Sequence, residues 1–353
     1  MCASTLIWTE SIKYSPAMIE GHGDDAYKYQ GIKANFSSNV YNHFCHEGLF
    51  CHLADKLDNV VSYPEPAPTH LEESLALLLG LQKEEVCVTN GATEAIYLIA
   101  QTFRRSQSAI LMPTFSEYRD ACLMHEHKIQ IIYNSQLSTL NSHLLWLCNP
   151  NNPTGSVLDK DFLLQTIEKH PNTLFVIDAS YAPFTEEPLL TAVEACRFPN
   201  VLMLHSMTKE YAIPGLRLGY ITAHKNLLGE IRLQRMPWSV NQVAIDAGFY
   251  LLAHPDEFQL PLHNLMQERQ RVAERLSALG CIEVWPSQTH ILLCKLRMGK
   301  AAALKEYLAT EHGLLIRDAS NFVGLDDSFF RIAVQEKAEN DTLIKAIEEW
   351  LCL

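Results

Sequence analysis

The sequence lacks the features that place a protein in a membrane or on a nucleic acid. Its 353 residues contain no run of about 18 apolar residues, the length that spans a bilayer, and the N-terminal MCASTLIWTESIKYS has no basic region followed by a long apolar segment. Lys and Arg number 28 against 41 Asp and Glu, a formal charge of -13. Nucleic acids and anionic membranes favour basic surfaces. We therefore expect a cytoplasmic protein with neither kind of partner.

Paired cysteine motifs are missing as well. The ten cysteines are scattered without a CxxC pair, so their spacing gives no sign of a zinc site and favours free thiols in a reducing compartment. The nearest approach to a metal site is made by two histidine-rich groups: His43, Cys45, His46 and His52, then His125 and His127. We interpret these groups as polar surface and predict no bound metal.

The first two thirds of the chain alternate apolar strands with helices. A strand over 86–89 leads into an Asn90-Gly91 turn and a helix from about Thr93, and the same order recurs through SAILMP, HLLWLC, TLFVID and NVLMLH. Nearly continuous apolar strands separated by helices indicate a mostly parallel sheet covered on both faces. The predicted fold class is α/β, with a large domain built on this sheet.

The pattern changes after residue 240. A long helical region over 242–279 is interrupted near His254-Pro255, and strands and helices then follow in an α+β order. We predict three parts: an N-terminal arm over 1–35, a large domain over 36–240 and a smaller α+β domain over 241–353.

One helix of the large domain has clear boundary signals. Over 69–79, Thr69 is placed to cap the helix, Glu72 lies three residues on as in a capping box, and Gly80 ends it. Ahead of this helix, the prolines of SYPEPAP stiffen the loop that carries Tyr63.

Three polar motifs stand at or after the ends of apolar strands. They are NPNNPTG over 149–155, Asp178, and HSMTKEYAIPGLRLGY over 205–220, which contains Lys209 and Arg217. In open α/β sheets, ligands collect beyond the carboxyl ends of the strands. The turn at Gly91 feeds a helix N-terminus, whose unpaired N–H groups suit a phosphate.

These motifs, in this order and at this approximate spacing, resemble those of the fold-type I pyridoxal phosphate enzymes of the aminotransferase class I/II superfamily. The resemblance covers nearly the whole chain. It implies an aspartate aminotransferase-like fold, pyridoxal 5'-phosphate as cofactor, and a homodimer in which a tyrosine at the position of Tyr63 reaches the neighbouring subunit's cofactor phosphate.

The resemblance also implies a role for individual residues. Lys209 bonds to the cofactor and transfers protons, Asp178 pairs with the pyridine nitrogen, and Tyr181 and Asn152 bind the phenolic oxygen. Phe115 stacks on the ring, with Tyr118 as the second choice. The residues that bind the cofactor phosphate are Gly91, Ala92, Thr93, Ser206, Thr208 and Arg217. Arg331 binds the substrate's α-carboxylate and Arg317 binds its phosphate. Asn39 and His22 also bind the substrate.

Two neighbouring groups of the superfamily fit: L-threonine-O-3-phosphate decarboxylases of cobalamin biosynthesis and histidinol-phosphate aminotransferases, which use 2-oxoglutarate. GHGDD followed by NFSSNVYN resembles the decarboxylase arm, which favours that reaction. The usual Asn-Pro and Leu-Gly of this segment are replaced by Asn39-Val40-Tyr41-Asn42 and HFCHEG, which alters the loop over the substrate. A cofactor-binding regulatory protein without activity is a distant alternative.

Overall fold

The computed structural model describes residues 24–352. Its strands form three sheets. The strands are β1 (Ala34–Asn35), β2 (Val86–Thr89), β3 (Gln107–Leu111), β4 (Lys128–Ile132), β5 (Leu144–Cys148), β6 (Leu174–Asp178), β7 (Val201–Ser206), β8 (Gly219–Ala223), β9 (Ile282–Val284), β10 (Ile291–Leu296), β11 (Leu314–Leu315), β12 (Arg317–Asp318) and β13 (Phe329–Ala333).

Helices pack against these sheets, and on the largest sheet they cover both faces. The α-helices are α1 (Glu47–Asp55), α2 (Thr69–Leu79), α3 (Gly91–Thr102), α4 (Glu117–Met124), α5 (Lys160–Lys169), α6 (Ala192–Ala195), α7 (Met207–Glu210), α8 (Lys225–Arg232), α9 (Gln242–Ala253), α10 (Leu262–Ala278), α11 (Ala301–Tyr307) and α12 (Lys337–Leu351). The predicted interruption near His254-Pro255 is confirmed, because α9 ends at Ala253 and α10 begins at Leu262. Within residues 24–352, none of these helices is long and apolar enough to cross a membrane.

The largest sheet has seven strands in the order β2-β8-β7-β6-β5-β3-β4. Its strands are parallel except β8, which runs antiparallel to both β2 and β7. Along β5 the side chains alternate between two cores. Trp146 packs in one with α3 and α4, and Leu145 packs in the other with α5. Both faces are therefore buried, which explains why the strand sequences are continuously apolar.

The C-terminal region contains an antiparallel four-stranded sheet in the order β12-β13-β10-β9. The start of the described chain joins this region, because β1 pairs in parallel with β11 and places Ala34 opposite Leu314. Helix α9 packs instead with α1 and α2 beside the large sheet. The boundaries at residues 35 and 240 stay predictions. The packing of α9 favours a larger unit that extends through this helix.

The prediction for the start of α2 is wrong in one respect. Pro68, not Thr69, precedes the helix, and the Thr69 hydroxyl donates to the Ala67 carbonyl. Glu72 forms no capping box because its carboxylate is buried. It accepts from the Val88 N–H at 3.0 Å and pairs with Arg232 at 3.0 Å and Arg235 at 2.5 Å. Gly80 ends the helix with φ 70°, as predicted.

Replacing Glu72 with alanine should strongly destabilise the fold, because two arginines would lose their buried counter-ion. Loss of one partner of such a buried pair costs about 3–5 kcal/mol. The measurement is the urea denaturation midpoint followed by circular dichroism. Glu73→Ala is the matched control, since Glu73 pairs with Lys83 at 3.1 Å on an exposed surface and should change stability by less than about 1 kcal/mol. Equal midpoints for the two variants would contradict a structural role for Glu72.

Candidate active site

A cavity of about 240 Å³ lies at the carboxyl ends of the central strands. The last residues of β5, β6 and β7, which are Cys148, Asp178 and Ser206, reach it together because parallel neighbours end on the same edge of the sheet. The predicted site residues that line the cavity are Asn39, Ala92, Thr93, Phe115, Asn152, Asp178, Tyr181, Ser206, Thr208, Lys209, Arg217, Arg317 and Arg331.

Lys209 lies on the short helix α7, directly after β7. Its Nζ donates to the carbonyl oxygen of Ser38 at 2.9 Å. Burial, together with the positive charges of Arg331 and Arg217, lowers the pKa of Lys209 to about 8. The amine is therefore far closer to its neutral, nucleophilic form at physiological pH than an ordinary lysine.

Asp178 is held by two donors at the end of β6. The Tyr118 hydroxyl donates to Oδ2 at 2.6 Å and the Ser180 N–H donates to Oδ1 at 2.9 Å. Burial raises the pKa of Asp178, while the hydrogen bonds from Ser180 and Tyr118 oppose the rise. A fixed carboxylate in this position suits a protonated ring nitrogen.

The two aromatic candidates for ring stacking have different surroundings. Tyr118 is 1% exposed, and its hydroxyl is used by Asp178. Phe115 packs edge-on against Tyr118 with ring centroids 5.9 Å apart, and its side chain lines the cavity. This arrangement favours Phe115 as the stacking ring and gives Tyr118 the different task of orienting Asp178.

The N-terminus of α3 and the side chain of Arg217 meet on one side of the cavity. Gly91 has φ +76°, and a Cβ there would lie 2.6 Å from the Arg217 guanidinium. A Cβ at Gly219 would lie 2.8 Å from the N atom of Ala92. Among residues 24–352, the buried Thr208 hydroxyl has no hydrogen-bond partner. Backbone N–H groups, a guanidinium and a free hydroxyl make a cradle suited to a phosphate.

Two arginines occupy the side of the cavity formed by the C-terminal region. Arg331 is 4% exposed and donates to the Asn152 side chain and the Ser37 carbonyl. Arg317 is 7% exposed and donates to Asn321 at 2.9 Å. Burial lowers the pKa of Arg331 to about 9, which reflects the cost of holding its charge away from water. Both guanidinium groups are thus prepared for anionic ligands.

Asn39 lines the cavity in an unusual backbone conformation. It has φ +55°, unusual for a residue with a side chain. Its Nδ2 donates to the Tyr181 hydroxyl at 3.1 Å. The neighbouring Ser37 and Ser38 also line the cavity, and the sequence motifs had not marked either serine.

Two of the predicted residues within the described range are not part of the cavity lining. Gly91 lies directly against the Arg217 guanidinium. Tyr63 is 84% exposed and packs against Trp238 with ring centroids 5.3 Å apart. His22 lies outside the described residues. Within this one chain, Tyr63 is therefore remote from the cavity.

The histidine-rich segment has ordinary side-chain partners. His43 pairs with Glu339 at 2.7 Å, and the His46 ring lies 2.8 Å from the Tyr211 carbonyl. In the described part of the chain, no group of three or more His, Cys, Asp or Glu side chains is arranged to hold a metal ion.

These features fit one cofactor chemistry. A reversed strand beside a parallel sheet, a lysine after β7 with a lowered pKa, a buried aspartate at the end of β6 and a phosphate cradle at α3 define a class of enzyme. Its members bind pyridoxal 5'-phosphate through a lysine, and the residues present fit that group.

Comparisons with known proteins identify the family. A model described as aminotransferase class I and II matches residues 32–347. A threonine-phosphate decarboxylase from Salmonella typhimurium is 31% identical over 317 residues, covering 85% of this chain and 86% of that protein. A histidinol-phosphate aminotransferase from Thermoanaerobacter sp. is 29% identical over 310 residues, covering 84% and 86%. This chain belongs to the aminotransferase class I and II family.

A solved structure agrees with this assignment. The crystal structure of L-threonine-O-3-phosphate decarboxylase from Porphyromonas gingivalis matches with a TM-score of 0.88 and 40% identity, covering 91% of this chain and 100% of that one. The predicted α/β fold class and the dependence on pyridoxal 5'-phosphate are confirmed, and the protein is a pyridoxal-phosphate-dependent enzyme.

The lowered pKa of Lys209 predicts how cofactor attachment depends on pH. Only the neutral amine bonds to the aldehyde, so the attachment rate should rise with pH and level off above about 8, not near the ordinary 10.5. Stopped-flow absorbance of apoprotein mixed with pyridoxal 5'-phosphate measures this rate, and borohydride reduction followed by peptide mass spectrometry identifies the modified lysine. A rate still rising steeply between pH 9 and 10, within about one unit of the ordinary lysine value, would contradict the prediction.

Proposed function

We propose that this enzyme decarboxylates L-threonine O-3-phosphate to (R)-1-amino-2-propanol phosphate in cobalamin biosynthesis. The observation that carries the proposal is the pair of buried arginines, Arg331 and Arg317, in one cavity with Lys209. The two decarboxylases named above support it.

The substrate's charges explain why two arginines matter. L-Threonine phosphate carries a carboxylate and a phosphate in one molecule, so both guanidinium groups gain a counter-ion when it binds. Histidinol phosphate has a phosphate but no carboxylate, so it would supply an anion to only one of the two arginines. The cavity therefore favours the doubly anionic substrate, with Arg331 at the carboxylate and Arg317 at the phosphate.

On this proposal each residue of the site has a defined task. Bound pyridoxal 5'-phosphate supplies an electron sink for the bond that breaks at the substrate's α-carbon. Asp178 holds a proton on the ring nitrogen, and Tyr181 and Asn152 hydrogen-bond the phenolic oxygen. Ala92, Thr93, Ser206, Thr208 and Arg217 hold the phosphate, Gly91 leaves room for the Arg217 guanidinium, and Phe115 covers the ring.

The freed amine of Lys209 completes the reaction. When the bond between the α-carbon and the carboxylate breaks, carbon dioxide leaves and one proton must take its place on that carbon. Lys209 Nζ is the proposed donor, with the Ser38 carbonyl 2.9 Å away to orient it. A pKa of about 8 lets this amine gain and lose a proton near neutral pH. Asn39 and His22 are proposed to cover the substrate from the N-terminal side.

The reaction can be tested with purified holoenzyme and L-threonine phosphate in the absence of any keto acid. We expect release of carbon dioxide and formation of aminopropanol phosphate, measured by a coupled bicarbonate assay and by phosphorus NMR. Lys209→Ala is the control and should release none. Turnover only with histidinol phosphate and 2-oxoglutarate would instead establish the aminotransferase, and inactivity with both substrate sets would favour the regulatory alternative.

We also propose that the protein is a homodimer with Tyr63 at the subunit interface. Two neighbouring surface segments, 57–63 and 233–238, expose large apolar side chains: Leu57, Val60, Val61, Tyr63, Leu233, Met236 and Trp238. The Tyr63 and Trp238 rings are in contact, and the Trp238 N–H donates to the Pro66 carbonyl at 2.8 Å, which joins the segments. Soluble monomers rarely expose such a patch. A second copy of this chain is the proposed partner.

Tyr63→Phe tests whether this tyrosine serves the other subunit's cofactor. Loss of one hydrogen bond to the charged phosphate should weaken cofactor binding by about 1.5–3 kcal/mol, a rise of roughly tenfold or more in the dissociation constant. Fluorescence titration of apoprotein measures the constant, while light scattering should give twice the 40.0 kDa chain mass for both proteins. The equally exposed Tyr27→Phe provides the control. An unchanged constant for Tyr63→Phe would remove Tyr63 from the site.

A further inference from the structure

A short strap, residues 37–39, connects three groups of the site. The Ser37 carbonyl accepts from Arg331, the Ser38 carbonyl accepts from Lys209, and the Asn39 side chain donates to the Tyr181 hydroxyl. Two of these contacts use backbone carbonyls, so the conformation of the strap determines where they point. A small rotation within the strap would move the partners of both Lys209 and Arg331.

The strap needs support because Asn39 has φ +55°. A residue with a side chain adopts this conformation at a cost, and it persists only where its surroundings hold it. Support from the far end of the strap comes through the Gln335 side chain, whose Nε2 donates to the Val40 carbonyl at 3.0 Å. The support at Asn39 itself must come from a residue packed beside it.

His290 is in the right place to provide that support. It directly precedes β10, and its carbonyl accepts from the Val334 N–H at 2.8 Å, which fixes its backbone. Its side chain is fully buried, stacked on Phe184 with ring centroids 3.9 Å apart and 6.4 Å from the Tyr181 ring. Among residues 24–352, neither ring nitrogen makes a well-formed hydrogen bond.

The surroundings keep this imidazole neutral. Burial lowers the pKa of His290 to about 3, and the charges of Arg331 and Lys209 contribute to the decrease, whereas the Asn39 backbone opposes it. A neutral imidazole has one N–H donor. The Asn39 backbone lies beside the ring as a hydrogen-bond acceptor, and it favours a ring nitrogen that carries a proton.

We propose that His290 is a positioning residue, whose N–H turns toward the Asn39 carbonyl and holds the strap so that Ser38 faces Lys209 and Asn39 faces Tyr181. The inference rests on the proposed roles of Lys209 and Tyr181. It adds a residue that contacts neither cofactor nor substrate and that acts through the strap. The neutral ring does this without placing another positive charge beside Lys209 and Arg331.

The pH titration of the bound cofactor's visible absorbance tests this role without any substrate. Tyr181 stabilises the unprotonated form of the lysine-linked cofactor through the phenolic oxygen, so a displaced Tyr181 should raise the titration midpoint. For His290→Phe, which keeps the stacking surface but removes both nitrogens, we expect a rise on the order of one pH unit. His290→Asn retains a neutral N–H donor and should restore the wild-type midpoint.

Steady-state kinetics give a second measurement. Because a misplaced strap disturbs proton transfer more than binding, kcat of His290→Phe should fall on the order of tenfold or more, with KM within about twofold. His127→Gln is the matched control, since His127 is also buried but bonds Ser108 and the Ala100 carbonyl. Its cofactor titration should equal that of the wild type even if its thermal midpoint falls.

A double-variant cycle distinguishes action through Asn39 from general damage. Asn39→Gly keeps the positive φ at no steric cost but removes the amide that reaches Tyr181. If His290 acts through Asn39, adding His290→Phe to Asn39→Gly should change the absorbance midpoint little further, whereas additive shifts would overturn the proposal. An unchanged midpoint in His290→Phe alone would also overturn it. Absence of decarboxylation would refute the proposed reaction while leaving this titration fully interpretable.

Discussion

Four cations share one cavity of this acidic protein, and much of the structure serves to hold them there. Lys209, Arg217, Arg317 and Arg331 all line a space of about 240 Å³. In the low dielectric of such a site, repulsion among like charges is several times stronger than at the surface. The lowered pKa values of Lys209 and Arg331 reflect this cost together with that of burial. The arrangement is worthwhile only for ligands that bring negative charge, as a phosphorylated cofactor and a phosphorylated amino acid do.

Each of these cations donates to a neutral acceptor, while two carboxylates, Asp24 and Asp178, also line the cavity. Arg331 donates to an amide oxygen and a backbone carbonyl, and Lys209 donates to another carbonyl. Asp178, the carboxylate at the end of β6, is engaged by Tyr118 and Ser180. Neutral acceptors orient a cation without cancelling its charge, so the attraction for an anionic ligand is preserved. Glu72 is the opposite case. Its carboxylate is fully paired with arginines, and its role is structural.

Much of the fold could be predicted from the sequence because its information is local. Apolar runs gave the parallel strands, and the Gly80 and Pro255 signals gave helix ends. Neither β4 nor β8 was predicted as a strand, and the reversed direction of β8 has no local signal, since an apolar strand has the same sequence pattern in either direction. Glu72 was misjudged because its capping spacing is local, while its actual partners are 160 and 163 residues away.

In the candidate site, too, the residues with a local sequence signal were predicted and the others were not. The cofactor-side residues carry side-chain motifs, and thirteen of the predicted residues line one cavity. Within the strap only Asn39 was predicted, because Ser37 and Ser38 act through backbone carbonyls, which are identical in every residue type. Tyr118 was considered for stacking, although its hydroxyl is committed to Asp178. Only the three-dimensional arrangement distinguishes these tasks.

The strap also explains why a site built on the large sheet depends on the C-terminal region. The chain just before the strap is held by the pairing of β1 with β11. Within the strap, the Ser37 carbonyl accepts from Arg331 on β13. His290 and Gln335 approach it from the ends of β10 and β13. The Lys209 amine, on α7 after the large sheet, thus receives its acceptor from a segment held by the C-terminal strands. A shift of these strands relative to the large sheet would separate the amine from Ser38, so the orientation of Lys209 depends on how the C-terminal region packs.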